Sequence, residues 1–345
     1  MKTGILLLNL GSPEAPTTPA VRTYLREFLS DPRVIDIPAV GRWLLLNAVI
    51  LPFRPRKSAE AYSKVWTPEG SPLLAHSRAF TAKLAAELGD EYRVVLGMRY
   101  GNPSIHSAVE DILREPLKEL VVVPLYPQYA SSSTGTALEA TLRAIAGKWN
   151  IPALRTVPAF FDHPEYLAAM AENAAPRLAA FRPDHVLFSY HGLPERHIRK
   201  SEDTSGHCLS ADNACCATYG AHNAFCYRAQ SYATTRMLTE RLGLDPARVS
   251  TAFQSRLGRT PWIKPYSDEV LVTLARSGVR RLAVFSPSFV ADCLETLEEM
   301  TIRGTETFVA AGGEALELIP ALNSNDTWVR SMASILRVSG QSHPG

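Results

Sequence analysis

The chain has 345 residues, 46% hydrophobic and 20% charged, with a formal net charge of +2. That is the profile of a globular protein long enough for two cores. So even a charge balance excludes a nucleic-acid footprint, which needs a clustered basic surplus.

The first apolar run, 1–10, is interrupted by Asn9 and followed by no small-residue cleavage pattern, so it reads as a buried strand at 4–8 rather than a signal peptide. A helix is predicted over 19–28. The apolar stretch 43–51 is closed by Pro52, Arg54, Arg56 and Lys57. It falls far short of the roughly 20 residues of a membrane span. The expectation is a cytoplasmic chain that touches a membrane at most peripherally, through the segment 37–53; a plain buried helix is the competing reading of that segment.

Further along, a helix over 78–88, a strand over 92–96, a helix over 104–112, a strand over 120–124 and helices over 138–146 and 164–181 follow. The remainder reads as strand 186–189, helix 233–242, strand 249–252, helix 268–276, strand 282–285 and a last helix over 326–336, before a frayed tail at 339–345. Short, wholly apolar strands alternating with helices predict an α/β protein with parallel sheets covered on both faces. A weak internal repeat accompanies this pattern. Residues 4–13 mirror 186–194, 94–103 mirror 249–261, and 120–139 (LVVVPLYPQYASSSTGTALE) mirror 282–298 (LAVFSPSFVADCLETLE). The expected organisation is a Rossmann-like lobe at 1–172 with a hydrophobic lip at 37–53, a second lobe at 173–322 with a cysteine-bearing insert at 200–231, and a terminal helix and tail at 323–345 packed on the first lobe. Neither a Walker loop nor a G-x-G-x-x-G after a strand is present, so no nucleotide cofactor is expected.

Two segments carry candidate chemistry. His191 follows a strand directly, where a side chain can face a ligand beyond the strand's carboxyl end, and Gly192-Leu193-Pro194 tightens the turn after it. By itself such a histidine is more often structural. Asp292, Glu295 and Glu299 have helical spacing and form an acidic stripe, which is equally the description of a solvated face. Imidazole and carboxylates together suit a divalent metal such as Fe²⁺ and the removal of protons near neutrality. The two segments are expected at equivalent strand ends of the two halves, with an imidazole on one side of a bound ligand and carboxylates on the other.

The motifs point to one family. LFSYHGLPERH (187–197) and SPSFVADCLETLEE (286–299) resemble the two catalytic segments of ferrochelatases. LLNLGSP (7–13), FLSDPRVIDI (28–37), YSKVWTPEGSPL (62–73), MRY (98–100), LYPQYASSSTG (125–135) and FQSRLGRTPWIKP (253–265) match in the family's order. The resemblance implies a chelatase-like fold of two Rossmann-like lobes around a porphyrin cleft. It also implies the insertion of ferrous iron into protoporphyrin IX, the last step of haem synthesis. It makes His191 the proton acceptor or metal ligand and Glu295 its partner, with Asp292 and Glu299 lining an acidic path. It places Leu10, Arg99, Tyr100, Tyr129, Ser131, Trp262 and Phe289 at the porphyrin, with Arg99 available to a propionate. Leu10, where other members carry tyrosine, favours protoporphyrin over coproporphyrin, and Cys293 stands where many members carry histidine. The competing readings are a cobalt or nickel chelatase of the same fold, and a non-catalytic tetrapyrrole carrier or iron–sulfur sensor.

Four of the five cysteines, Cys208, Cys215, Cys216 and Cys226, fall in the insert. In a reducing compartment such a group binds metal more often than it forms disulfides. Adjacent cysteines read as awkward for one tetrahedral zinc, whereas a two-iron cluster accepts four thiolates. The insert resembles the internal [2Fe–2S] segment of certain bacterial ferrochelatases; zinc and free thiols remain the alternatives.

Overall fold

The structure is a computed structural model, and it describes residues 1–201, 209, 214–256, 258 and 260–338. Cys208 and the tail from 339 lie outside the described residues.

The chain forms two compact units. One comprises Met1–Tyr126, Ser131–Pro158 and the described residues from Ser324 on; the other comprises Pro127–Ala130 and Ala159–Asn323. The first holds a parallel sheet of β1 (Lys2–Asn9), β2 (Tyr92–Met98), β3 (Leu117–Pro124) and β4 (Ala153–Thr156), in the order β2-β1-β3-β4. The second holds β5 (His185–His191), β6 (Val249–Gln254), β7 (Arg281–Phe285) and β8 (Ala315–Leu318), in the order β6-β5-β7-β8. All six pairings are parallel, with Ile5 facing Val94 and Val121, and Phe188 facing Thr251 and Phe285.

Why these strands form centrally is legible in their burial. Ile5, Leu6, Leu7 and Leu8 are each 0% exposed. Consecutive, not alternate, residues are covered, so helices lie on both faces of the sheet. One face of the first sheet packs on Ile105, Ala108, Val109 and Ile112 from the helix Ile105–Ile112. In the second, Leu271 and Ala275 of Ser267–Arg276 and Phe308 of Gly304–Ala310 do the same.

The weak repeat is a real repeat of topology. Each unit's third strand receives the same bond from the edge beyond it, Val157 N–H to Val122 O at 2.9 Å and Ile319 N–H to Val284 O at 2.8 Å. Each second strand ends on a matching bond, Met98 N–H to Pro103 O at 2.6 Å and Phe253 N–H to Pro265 O at 2.8 Å.

The stretch 37–53 exposes Val40, Trp43, Leu44, Val49 and Phe53 across Ala39–Leu44, a π-helix at Leu45–Ile50 and the start of Leu51–Val65, which disfavours the competing reading of a plain buried helix. Two features differ from the expectation. The strands β4 and β8 are not among those expected, because neither has a buried residue: three of the four in β4 are exposed and all four in β8 are half-buried. Finally, the chain divides at Pro158/Ala159 rather than at 172/173. The helix Pro164–Phe181 belongs wholly to the second unit, where the Tyr166 hydroxyl donates to Pro287 O at 2.9 Å and Asn173 Nδ2 donates to Pro320 O at 2.8 Å. The terminal helix Asp326–Val338 belongs to the first, where Trp328 stacks on Phe80 with centroids 5.7 Å apart. Among the described residues no helix is long and apolar enough to cross a membrane.

Candidate functional site

Three chain segments meet at the carboxyl ends of β5, β6 and β7. His191 is the last residue of β5. Its Nδ1 lies 2.7 Å from Gly192 O. A carbonyl only accepts, so Nδ1 carries a proton, which leaves Nε2 as the ring nitrogen free to exchange one. The backbone here is braced: His191 N–H donates to Ser288 Oγ at 3.2 Å, and the Tyr227 hydroxyl donates to His191 O at 2.8 Å. Gly192 N–H donates to Gln254 O at 2.8 Å, so tightly that a Cβ on Gly192 would sit 2.7 Å from that oxygen and 3.2 Å from the Trp262 ring. Trp262 and Phe289 flank the imidazole, with centroid separations of 6.4 and 6.3 Å.

The acidic segment differs from a plain α-helix. Glu295–Arg303 is a π-helix, in which Gly304 N–H reaches back to Glu299 O; such helices are rare and recur at functional sites. Gln254, 3% exposed, anchors its first turn by donating to Glu295 O at 2.9 Å, while its Oε1 accepts from Ser189 Oγ at 2.7 Å. Glu299 is gripped at both oxygens by one residue, Ser255, through the backbone N–H at 2.8 Å and the hydroxyl at 2.5 Å. Ser255 adopts φ 67, a left-handed conformation that side-chain-bearing residues seldom hold without a reason. Burial pushes the Glu299 carboxyl above the usual glutamate range and the Glu295 charge adds to this, while Ser255 and the charges of His191 and Arg303 oppose it. Glu299 thus keeps a proton to a higher pH than an ordinary glutamate does.

Asp292 is not on that helix. It lies before it, 5% exposed, and its carboxylate accepts from Thr296 Oγ1 at 3.0 Å, Ala321 N–H at 3.2 Å and Asn323 Nδ2 at 2.7 Å. It therefore fixes the loop that starts the π-helix. Cys293 is buried beside it; burial, then the Glu295 charge, pushes its thiol well up and keeps it protonated. His191 and the acids all belong to the second unit, after neighbouring strands of one sheet. The expected assignment of imidazole and carboxylates to the two different halves is therefore corrected.

Trp262, Phe289 and Tyr129 also lie in the second unit, but Tyr129 sits elsewhere, edge-on to Phe225 at 5.6 Å with its N–H on Gln230 Oε1 at 2.7 Å. Leu10, Arg99, Tyr100 and Ser131 lie in the first, at the ends of β1, β2 and β3. There Arg99 is already paired. It donates to Asp31 Oδ2 at 2.5 Å and to Thr136 Oγ1 at 2.6 Å, and Tyr100, 0% exposed, donates to the same Asp31 oxygen at 2.9 Å. Thr136 also donates to Asp31. Leu10 O accepts from Tyr100 N–H at 2.9 Å, and Arg33, which the sequence reading did not single out, donates to Ser131 Oγ at 2.8 Å and to Glu139 at 2.6 Å.

In the insert, Cys215 Sγ and Cys216 Sγ lie 3.8 Å apart. Two sulfurs bound at 2.3 Å to one tetrahedral metal stand about 3.8 Å apart, so the neighbouring residues do present both thiols to a common point, contrary to the expectation from adjacency. Cys226 is buried in electrostatic and hydrogen-bonding reach of Cys216, and none of the three is in a disulfide. Soft thiol donors converging in this way suit iron or zinc. Among the described residues no set of three His, Cys, Asp or Glu side chains is closed around a single ion.

The ferrochelatase family model matches residues 2–339. A ferrochelatase of Coxiella burnetii (strain CbuG_Q212) is 45% identical over 340 residues, 99% of this chain and 94% of that protein. One of Legionella pneumophila (strain Lens) is 47% identical over 336 residues, 97% of this chain and 99% of that protein. Among solved structures, SirB from Bacillus subtilis with Fe³⁺ superposes with a TM-score of 0.54 at 13% identity, covering 99% of this chain and 98% of SirB. At that identity the likeness is one of fold.

Proposed function

The chain belongs to the ferrochelatase family and is a lyase that inserts ferrous iron into a porphyrin in haem synthesis, and from that premise we propose that His191 is the base of the reaction and that Glu295 and Glu299 deliver the metal to it. Insertion requires two pyrrole N–H protons to leave and the iron to shed its waters. The Nε2 lone pair of His191 accepts a pyrrole proton, and the bond from Nδ1–H to Gly192 O stabilises the imidazolium that results. Glu299, held by Ser255, and Glu295, on the same π-helix, offer oxygen ligands to the incoming cation and take up a proton once it has passed. Asp292 acts by holding the start of that helix.

As porphyrin contacts we propose Leu10, Arg99, Ser131, Tyr129, Trp262 and Phe289, on the strength of the family motifs; Tyr100, fully buried, acts through Asp31. Flat apolar faces suit a macrocycle, and Leu10 supports protoporphyrin IX as the substrate. Val40, Trp43, Leu44, Val49 and Phe53 form an exposed apolar edge suited to a membrane surface, where protoporphyrin itself partitions. For the insert we propose a [2Fe–2S] cluster held by Cys208, Cys215, Cys216 and Cys226, with zinc as the alternative.

One observation carries the catalytic reading: the buried Glu299 carboxyl lies within electrostatic reach of His191, whose positive charge favours the ionised acid. His191→Ala is expected to lose nearly all insertion of Fe²⁺ or Zn²⁺ into protoporphyrin while binding the porphyrin as the wild type does. Equal turnover would remove His191 from the mechanism.

A further inference from the structure

The helix Tyr227–Arg241 begins directly after Cys226, and its second residue, Arg228, is 2% exposed. A guanidinium does not deprotonate in a protein, so its burial requires compensation. Its Nη1 donates to Cys216 Sγ at 3.2 Å, and its Nη2 to Lys264 O at 3.2 Å and Tyr232 Oη at 3.4 Å. The Tyr232 ring lies under it at 5.0 Å. Among the described residues no carboxylate pairs with Arg228, and its buried Nε–H has no acceptor. A full positive charge is therefore held inside the protein with a cysteine sulfur as its principal partner. A neutral thiol is a poor answer to it; a thiolate that carries the negative charge of a metal-bound cysteine would be a good one.

We propose that Arg228 is the positioning residue of the metal-bound cysteine group and sets its reduction potential. The proposal rests on the [2Fe–2S] reading above and adds a residue to it that supplies no ligand atom. The argument is electrostatic. One-electron reduction adds a negative charge to the cluster, and a buried cation hydrogen-bonded to one of its thiolates stabilises the reduced form more than the oxidised form. The same bond fixes the Cys216 side chain, while Arg236 Nη1, donating to Cys216 O at 3.1 Å, fixes its backbone. The tether to Lys264 O and the stack on Tyr232 keep the guanidinium from turning away.

The test uses full-length protein purified without oxygen, with iron, acid-labile sulfide and zinc measured in each sample and the visible circular dichroism followed through a redox titration. Wild type is expected to hold iron and sulfide, and to lose both in Cys215→Ser. Colourless wild-type protein with stoichiometric zinc would overturn the cluster reading itself. Given a cluster in the wild type, Arg228→Gln is expected to load iron and sulfide but to be harder to reduce, by about tenfold in the reduction equilibrium, which is about 59 mV for one electron. Should the glutamine variant not fold, Arg228→Lys carries the test. An ammonium retains the charge but cannot hold the Cys216 sulfur and Lys264 carbonyl at once, and a smaller shift in the same direction with faster loss of the cluster is expected. A wild-type potential and dichroism spectrum in the variant that folds would overturn the role of Arg228.

Discussion

Asp31 is 6% exposed, and its carboxylate collects hydrogen bonds from Arg99, Tyr100, Thr136 and the Arg33 backbone. Burial alone would raise its pKa; the bonds and the Arg99 charge outweigh that and hold it below the ordinary value. A carboxylate with a depressed folded-state pKa contributes stability that is complete above its unfolded value, about 4, and is lost as the pH falls through the folded value. Asp31→Asn leaves Arg99 with no ionised partner at this site and is expected to cost about 3 kcal/mol at pH 7. The gap between variant and wild type should close on acidification below about pH 4, as read from urea unfolding midpoints across pH. A gap independent of pH would mean that packing, not charge, is what the aspartate contributes. The same network explains why Arg99, the natural candidate for a propionate, arrives at the site already neutralised. Its orientation is set by Asp31, and whatever attraction it exerts on an anion is reduced accordingly.

At the scale of elements, the junction between β6 and the π-helix Glu295–Arg303 decides how the acids are presented. The left-handed turn at Ser255 aims N–H and O–H at the two oxygens of Glu299, and Gln254 holds the first turn of the helix. Ser255→Ala removes the hydroxyl bond and keeps the backbone one. Because that bond lowers the Glu299 pKa, its loss raises the pKa further, and the carboxylate form that the proposed metal delivery requires appears at higher pH. The acid limb of the pH profile for metal insertion is expected to move upward, with turnover at the optimum reduced several-fold. An unmoved limb would show that Glu299 does not titrate in the reaction. Spacing alone suggested three acids on one α-helical stripe, but Asp292 lies ahead of the helix and is consumed in holding it.

For the whole molecule, one topology is used twice. Strand orders β2-β1-β3-β4 and β6-β5-β7-β8 are the same path with four added to each number. The units are not equally self-sufficient in sequence, since the first is completed by the terminal helix Asp326–Val338. Trp328 is 0% exposed against Phe80, with Val329, Met332, Ile335 and Leu336 buried along the same helix. Trp328→Ala is expected to lower stability by about 3–5 kcal/mol, the range for deleting a buried aromatic. Urea unfolding of the full chain checks this, and a loss below about 1 kcal/mol would show that the site collapses around the gap.

Much of this was legible in the residues. Short apolar runs determine β1, β2, β3, β5, β6 and β7, most firmly the central ones, because a strand covered on both faces admits little else. The paired strand-end motifs determine the repeat, and the motif series determines the family. The position of His191 was legible to within one residue: expected just after a strand, it is the last residue of β5, at the carboxyl end of the sheet. The edge strands β4 and β8 were not, since half-exposed residues carry no continuous apolar signal. Nor was the service of Asp31, Gln254, Ser255 and Arg228 to Thr136, Glu295, Glu299 and Cys216 respectively, pairs that lie from 12 to 105 positions apart along the chain. Local spacing says which residue types are present and which face of an element they share. The partner that neutralises a charge, or holds a buried glutamate by both oxygens, is chosen only when distant segments are packed together, and that choice belongs to the tertiary structure.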